Sequence, residues 1–314
     1  MSSEIAGLPD VTVLISGPIF KFASDKVPVP DITFKLVQSV RNSYSAMPIV
    51  LSTWEIDERF KEFDGLLYHI PHDPGAQIVG DHVSNLNRQI TSVNSGIERT
   101  NSKFVLRIRS DFLFENFQKT LELVLRVYNL RPDKIVVLDS SRHAFTWPYH
   151  ICDFLQFGHI ELLKRYWTKS LQTNEEFLYF RTSPNHEYRP KFLVRHLHYF
   201  RFPEQYSPEQ FLGLRYMFPN CDYPLKHRHN FSLMSFINGF KESDKNFSFI
   251  HISQVVNLGR LYSLGAESAL RRLGTKLMRH SPLTVRFCVL CFFFSFKLIH
   301  NLLKNFRSAV GRLI

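Results

Sequence analysis

Apolar positions in the first half of the chain recur in two alternating rhythms. Val11 to Ile19, "VTVLISGPI", is a nearly continuous apolar run stopped by Gly17-Pro18, the pattern of a short buried strand. Ile32 to Tyr44, "ITFKLVQSVRNSY", switches to helical spacing, and Pro48 to Glu55, "PIVLSTWE", returns to strand character. "GLLYHIPHDPG" predicts a further short strand entering a Pro/Gly turn, and Asn85 to Thr100 a helix. The strand "FVLRIRSDF" (Phe104 to Phe112), the helix "FQKTLELVLRVY" and the strand "KIVVLD" follow. Strands and helices alternating at this spacing predict an α/β domain with a mostly parallel central sheet flanked by helices. Its ligand site is expected at the carboxyl ends of the strands.

One of those strands carries charge where core is expected. Side chains alternate faces along a strand, so Val105, Arg107, Arg109 and Asp111 share one side while Phe104, Leu106 and Ile108 share the other. The charges therefore gather at one strand end. Beside it stand two further strand ends, Ser16-Gly17-Pro18 and Ser52-Thr53-Trp54-Glu55. The first is small and backbone-permissive, the second supplies hydroxyls and an aromatic face, and Arg109-Ser110-Asp111 supplies a carboxylate between basic groups. Such a set suits a nucleotide, its diphosphate and a divalent metal. On these features alone, an Arg109–Asp111 strand-end ion pair beside a core Trp54 is the favoured reading.

At 314 residues with 44% hydrophobic content, the chain is long enough for one large domain with a core, and disorder is excluded for most of it. Its net charge of +11 is placed unevenly. From Arg260 onward ten Lys and Arg face a single acid, Glu267, a net +9 that leaves only +2 for the preceding residues. The division is a domain over 1–259 and a basic, aromatic tail over 260–314. "SPLTVRFCVLCFFFSFKLIHNLLKNFRSAVGRLI" opens on Ser281-Pro282 and runs without a breaker to Gly311, which predicts one long helix. Its apolar run from Phe287 to Phe296 is well short of the roughly 20 residues that span a bilayer. A basic stripe beside bulky aromatics suits a helix lying in the headgroup plane of an anionic membrane, and packing on the body or on a second subunit is the alternative.

Other signals are weaker. Cys152, Cys221, Cys288 and Cys291 form no metal or disulfide framework; Cys288 and Cys291 read as small apolar helix residues, and a reducing compartment fits. "MSSEIAGLPD" has neither a basic nor an apolar leader region, so no secretory signal is expected. Nucleic-acid binding has only the overall charge in its favour, with no zinc framework, RNA-binding aromatic signature or basic helix in the globular part. No nucleic-acid partner is expected.

"SGPI", "VLSTWE", "NLNRQITSVNSGI" and "FVLRIRSD", in this order and spacing, resemble the bacterial WavE-type lipopolysaccharide biosynthesis proteins. The resemblance extends through "ICDFLQFGHIELLKRYW" and "PEQFLGLRYM" and is absent in the tail. It implies a glycosyltransferase-A-like fold and a nucleotide-sugar donor, with "RSD" in the place of that fold's D-x-D signature. It further implies Asp111 as ligand of Mn²⁺ or Mg²⁺, and donor contacts from Ser16, Gly17, Thr53, Trp54, Arg107 and Arg109. Arg109 stands where a full D-x-D has its first carboxylate, which puts strict metal dependence in question.

In folds of this kind the polar start of the helix before the motif strand faces the donor, and of Asn85, Asn87, Arg88 and Gln89 the expectation falls on Arg88 and Gln89. A base to take the acceptor's proton is expected among Asp139 and Asp153, with Asp153 favoured. His227 and His229 in "KHRHN" fit a solvated basic turn or a completing metal ligand. The acceptor is expected to be a glycan or lipid-linked glycan, and the enzyme to sit on the cytoplasmic, inner face of the membrane. A degenerate, membrane-associated scaffold of glycan assembly is the alternative the incomplete D-x-D permits.

Overall fold

A computed structural model describes residues 10–20, 31–69, 71–79, 82–114, 116–139, 149–167, 171–173, 208–220, 233–251 and 254–255. His227, His229, Cys221, Cys288, Cys291 and the helix expected after Ser281 lie outside the described residues.

The expected alternation is present. Strand β1 (Val11–Ser16) leads through helix α1 (Ile32–Ser43) to β2 (Ile49–Ser52) and β3 (Leu66–His69). A small hairpin of β4 (Gln77–Val79) and β5 (His82–Ser84) precedes α2 (Leu86–Glu98), followed by β6 (Phe104–Arg109), α3 (Phe117–Leu130) and β7 (Ile135–Asp139). After these come β8 (Leu155–His159), α4 (Ile160–Trp167), α5 (Pro208–Met217), α6 (Leu233–Asn246) and β9 (Phe247–His251). The seven main strands lie in the order β3-β2-β1-β6-β8-β7-β9. All pairings are parallel except those of β8, which runs antiparallel to both β6 and β7. The mostly parallel sheet is borne out.

Helices cover both faces, and strand alternation decides which residue meets which layer. Val11, Val13, Ile15, Leu106 and Ile108 join Leu36 and Val37 of α1 and Leu121 and Val124 of α3 in one core. Leu14, Val50 and Val105 join Ile90 and Val93 of α2, Trp167 of α4 and Phe211 of α5 in the other. A parallel sheet buried on both sides explains why its strands are nearly continuously apolar. Each fully buried aliphatic side chain contributes about 1.5–3 kcal/mol of transfer free energy. Arg107, on the Val105 side, is fully buried between the sheet and α4, with its guanidinium 4.9 Å from the centre of the Trp167 ring.

From β1 the chain moves outward to β2 and β3, then crosses back to place β6 on the other flank of β1. This reversal is a topological switch point, and it opens a crevice beyond the carboxyl ends of β1 and β6. Helix α2 is seated tightly beside it. A Cβ on Gly96 would stand 2.4 Å from Leu14 Cδ1, so any larger residue there would have to push the Leu14 side chain aside. Ser52 Oγ donates to the Ser92 carbonyl at 2.7 Å, and Ser92 Oγ donates to the Ser52 carbonyl at 2.7 Å. These contacts hold the middle and last turns of α2 against β1 and the end of β2.

Candidate active site

A cavity of about 610 Å³ fills the crevice. Its size falls in the range of small-molecule sites, about 300–1,000 Å³. Ser16, Gly17 and Pro18 line it from the end of β1, Trp54 and Glu55 from beyond β2, and Arg107, Arg109, Ser110 and Asp111 from β6 and the turn after it. Asn85, Arg88 and Gln89 contribute from the start of α2, and Gln172 and Glu209 close the far wall.

The floor is built by backbone register. Ser16 lies opposite Arg109 in the β1–β6 ladder, and the Ser110 N–H donates to the Ser16 carbonyl at 3.1 Å. Thr33 Oγ1 of α1 donates to the Ser110 carbonyl at 2.9 Å, holding the turn after β6. Gly17 has φ 128°, in the left-handed region, and a Cβ there would stand 2.5 Å from Ser110 Oγ. The two strand ends thus approach as closely as a side-chain-free residue permits.

Two arginines and two carboxylates occupy this floor. Arg107 Nε donates to Ser16 Oγ at 3.0 Å, and its Nη1 lies 3.9 Å from Asp153 Oδ2. Arg109 forms a forked pair with Asp111, Nε to Oδ1 at 2.9 Å and Nη2 to Oδ2 at 2.6 Å. Its Nη1 also donates to Asp153 Oδ1 at 3.2 Å, while its guanidinium lies 4.8 Å from the centre of the Phe154 ring. Gln89 Nε2 donates to Asp153 Oδ2. Burial pushes the Asp153 carboxyl up, but the charges of Arg109 and Arg107 pull it further down, and it ends below the usual carboxylate range. Burial draws the Arg107 guanidinium down to about 10, so it too is charged at neutral pH.

The walls are held by separate pairs. Asp73 receives Arg88 Nε at 2.8 Å and Nη2 at 2.7 Å, which fixes the guanidinium 5.6 Å from the centre of the Trp54 ring. Asn87 turns away, exchanging hydrogen bonds with the backbone of Gln172 at 3.1 and 2.7 Å. On the far wall Glu209 lies 3.7 Å from His150 Nε2.

Sequence reasoning and structure can be matched residue by residue. Ser16, Gly17, Trp54, Arg88, Gln89, Arg107, Arg109 and Asp111 come together around one cavity. Thr53 does not join them. It is fully buried, its N–H donates to the His69 carbonyl at 3.0 Å, and its Oγ1 accepts the Glu55 N–H at 3.3 Å. Asp153, expected as the base, is 1% exposed and lies beneath the cavity with both oxygens engaged. Its contacts are with Arg109, Arg107 and Gln89. Asp111, expected as a metal ligand, has both oxygens in the forked pair with Arg109. Among the described residues no group of three His, Cys, Asp or Glu side chains is arranged to hold a metal ion. As the chain stands, Asp111 presents its two oxygens to a guanidinium rather than to a divalent cation. Cys152 is a buried thiol whose burial pushes its pKa up, an inert core group.

Asp73, Gln172 and Glu209 were not singled out in the sequence, and Glu55 was named only as part of its strand end. Glu209 carried the one available signal, an acidic residue beside Pro208 in the first turn of a helix.

Among solved structures the fold is similar to that of TarS 1-349 from S. aureus. In complex with UDP-GlcNAc it is 12% identical, with 49% of this chain and 46% of that one covered, at a TM-score of 0.33. The structure of TarS 1-349 alone is 12% identical over 66% and 55%, at 0.36. The mannosyltransferase PcManGT from Pyrobaculum calidifontis, in complex with GDP-Man and Mn²⁺, is 13% identical over 96% and 88%, at 0.37. The match spans about half the length of the TarS structures. At these scores the likeness is distant. No curated protein matches the chain. The profile of WavE lipopolysaccharide synthesis matches residues 11–198, more than half of the chain, and the chain belongs to that family.

Proposed function

We infer that the protein is a glycosyltransferase of surface-polysaccharide assembly, using a nucleotide-sugar donor bound in the switch-point cavity. The observation that carries this reading is the meeting of an aromatic face, a glycine-lined strand end and guanidinium groups around one cavity of about 610 Å³. Trp54 offers its ring to the base or sugar, beside an arginine already oriented by Asp73. Gly17 lets backbone approach the diphosphate, and Arg107 and Arg109 face its charge from the floor.

Transfer forms a bond between an acceptor hydroxyl oxygen and the sugar's anomeric carbon. The bond from that carbon to the β-phosphate oxygen breaks, and its electron pair leaves with the nucleoside diphosphate. The acceptor proton passes to a carboxylate on the wall, Glu55 or Glu209 among the described residues. Family membership supports a glycan acceptor, free or lipid-linked. The basic residues of 260–314 support peripheral attachment to the anionic inner face of the cytoplasmic membrane.

The test is isothermal calorimetry with UDP, GDP, CDP and dTDP, alongside thermal unfolding. One base class is expected to bind and to raise the unfolding midpoint, since a ligand at 100 times its Kd stabilises the native state by about 2.7 kcal/mol. Failure of all four to bind, with and without Mn²⁺, overturns the donor site.

A further inference from the structure

The buried arginine on the cavity floor is incompletely paired. Arg107 is fully buried, yet among the described residues its Nη1 and Nη2 donate no hydrogen bond; only Nε does, to Ser16. Asp153 lies 3.9 Å from Nη1, close enough to balance charge but too far for a hydrogen bond. Leaving a buried donor unsatisfied costs about 1–3 kcal/mol, more for a charged group. Arg107 also contributes to the cavity lining, and its open donors, themselves shielded from solvent, lie in the floor beneath the space an anion would fill.

Asp111 is arranged the opposite way. Its two oxygens already accept Arg109 Nε and Nη2 at 2.9 and 2.6 Å. A dication on this carboxylate would have to displace a forked guanidinium and then sit beside its positive charge, against Coulomb repulsion. Two guanidiniums and two carboxylates face one another on the floor. The charge arriving with a diphosphate then falls to the donors still unused.

We propose that this enzyme transfers sugar without a divalent metal, with Arg107 and Arg109 together stabilising the departing diphosphate and Asp111 serving to aim Arg109. This rests on the donor-site reading. Planar guanidiniums present paired N–H donors to phosphate oxygens and remain charged throughout, which supplies the electrostatic stabilisation a metal would otherwise give. The departing oxygen keeps the electron pair of the broken bond, and no proton or electron is exchanged with the arginines.

The decisive experiment needs no variant. The Kd of whichever of UDP, GDP, CDP or dTDP binds is measured by calorimetry in EDTA and again in Mn²⁺, and donor turnover is followed in both. Affinity within about twofold and retained turnover in EDTA are expected. A tenfold or greater loss in EDTA that Mn²⁺ restores overturns the proposal and leaves the donor site standing. Absence of binding in both buffers overturns the donor site itself. Arg109→Lys keeps the charge but loses the fork, and it is expected to weaken diphosphate binding about tenfold in both buffers. Rescue of that variant by Mn²⁺ would count against the proposal. If Arg109→Lys fails to fold, the wild-type comparison still decides.

Discussion

At the scale of single residues, Asp153 shows how a buried carboxylate shapes a site it does not line. It sits between Arg107 and Arg109 and accepts from Gln89, so three residues of the cavity take their positions from one side chain. Asp153→Asn keeps the shape and removes the charge, leaving Arg107 buried without compensation. Loss of one partner of a buried pair costs about 3–5 kcal/mol, and chemical denaturation is expected to show a loss of that order. The pH dependence has a definite sign. Because the folded-state value lies below the ordinary carboxylate value, the contribution is complete above a pH of about 4 and is lost as pH falls through the folded value. The variant's stability should therefore fall less steeply on acidification than that of the wild type. Trp54 behaves differently because it is half-buried on the cavity wall rather than in either core. Trp54→Ala is expected to weaken nucleoside diphosphate binding about tenfold while costing less than the about 3–5 kcal/mol of a buried aromatic truncation. A full core penalty with unchanged affinity would show that Trp54 only packs.

At the scale of elements, the position of α2 ties fold to site. Its start carries Arg88 and Gln89 into the cavity, and its far turn is held down by the Gly96 contact on Leu14. Gly96→Val forces the helix off the sheet, so a loss of about 1–3 kcal/mol is expected from overpacking. Diphosphate affinity should fall with it, although Gly96 lies two helical turns from the ligand. Calorimetry on the folded variant checks both. The elements that frame the cavity were legible in the sequence: β1, β2, β6 and α1 to α3 follow the expected runs to within a few residues at each end. A strand buried on both faces, or a helix buried on one, writes its period into adjacent residues. Strand β8 was not legible, because its five residues LQFGH include Gln156, Gly158 and His159, which suit antiparallel pairing with β6 only once the neighbours are present. The hairpin of β4 and β5 has three residues in each strand, too few for a period. The same limit governs the site. Strand-end position located Ser16, Arg109 and Asp111, but it also placed Thr53 at the cavity, where β3 has covered it. The pairing of Asp153 with Arg109 spans 44 residues, and nothing local records it.

At the scale of the whole molecule, charge is separated from chemistry. The residues from Arg260 onward carry a net +9, while the preceding 259 carry +2. Within the cavity the arginines are matched by carboxylates: Arg88 by Asp73, and Arg107 and Arg109 by Asp153 and Asp111. The cavity thus presents directed hydrogen bonds more than net charge, and the sequence's excess of positive charge falls in 260–314. Among the described residues no helix is long and apolar enough to cross a membrane. Juxtamembrane basic residues contribute about 1 kcal/mol each at an anionic surface, and the contribution falls off within a Debye length of about 8 Å at physiological salt. The intact chain is expected to co-sediment with vesicles containing anionic phospholipid at low salt. It should be released by raised salt and should not bind vesicles of zwitterionic lipid alone. A chain ending at residue 280 should lose most of this binding and keep its affinity for the nucleoside diphosphate, because Ser16, Trp54, Arg88 and Arg109 all precede the cut. Co-sedimentation that ignores lipid charge, or a truncated chain that no longer folds, would place residues 281–314 in the structural body instead.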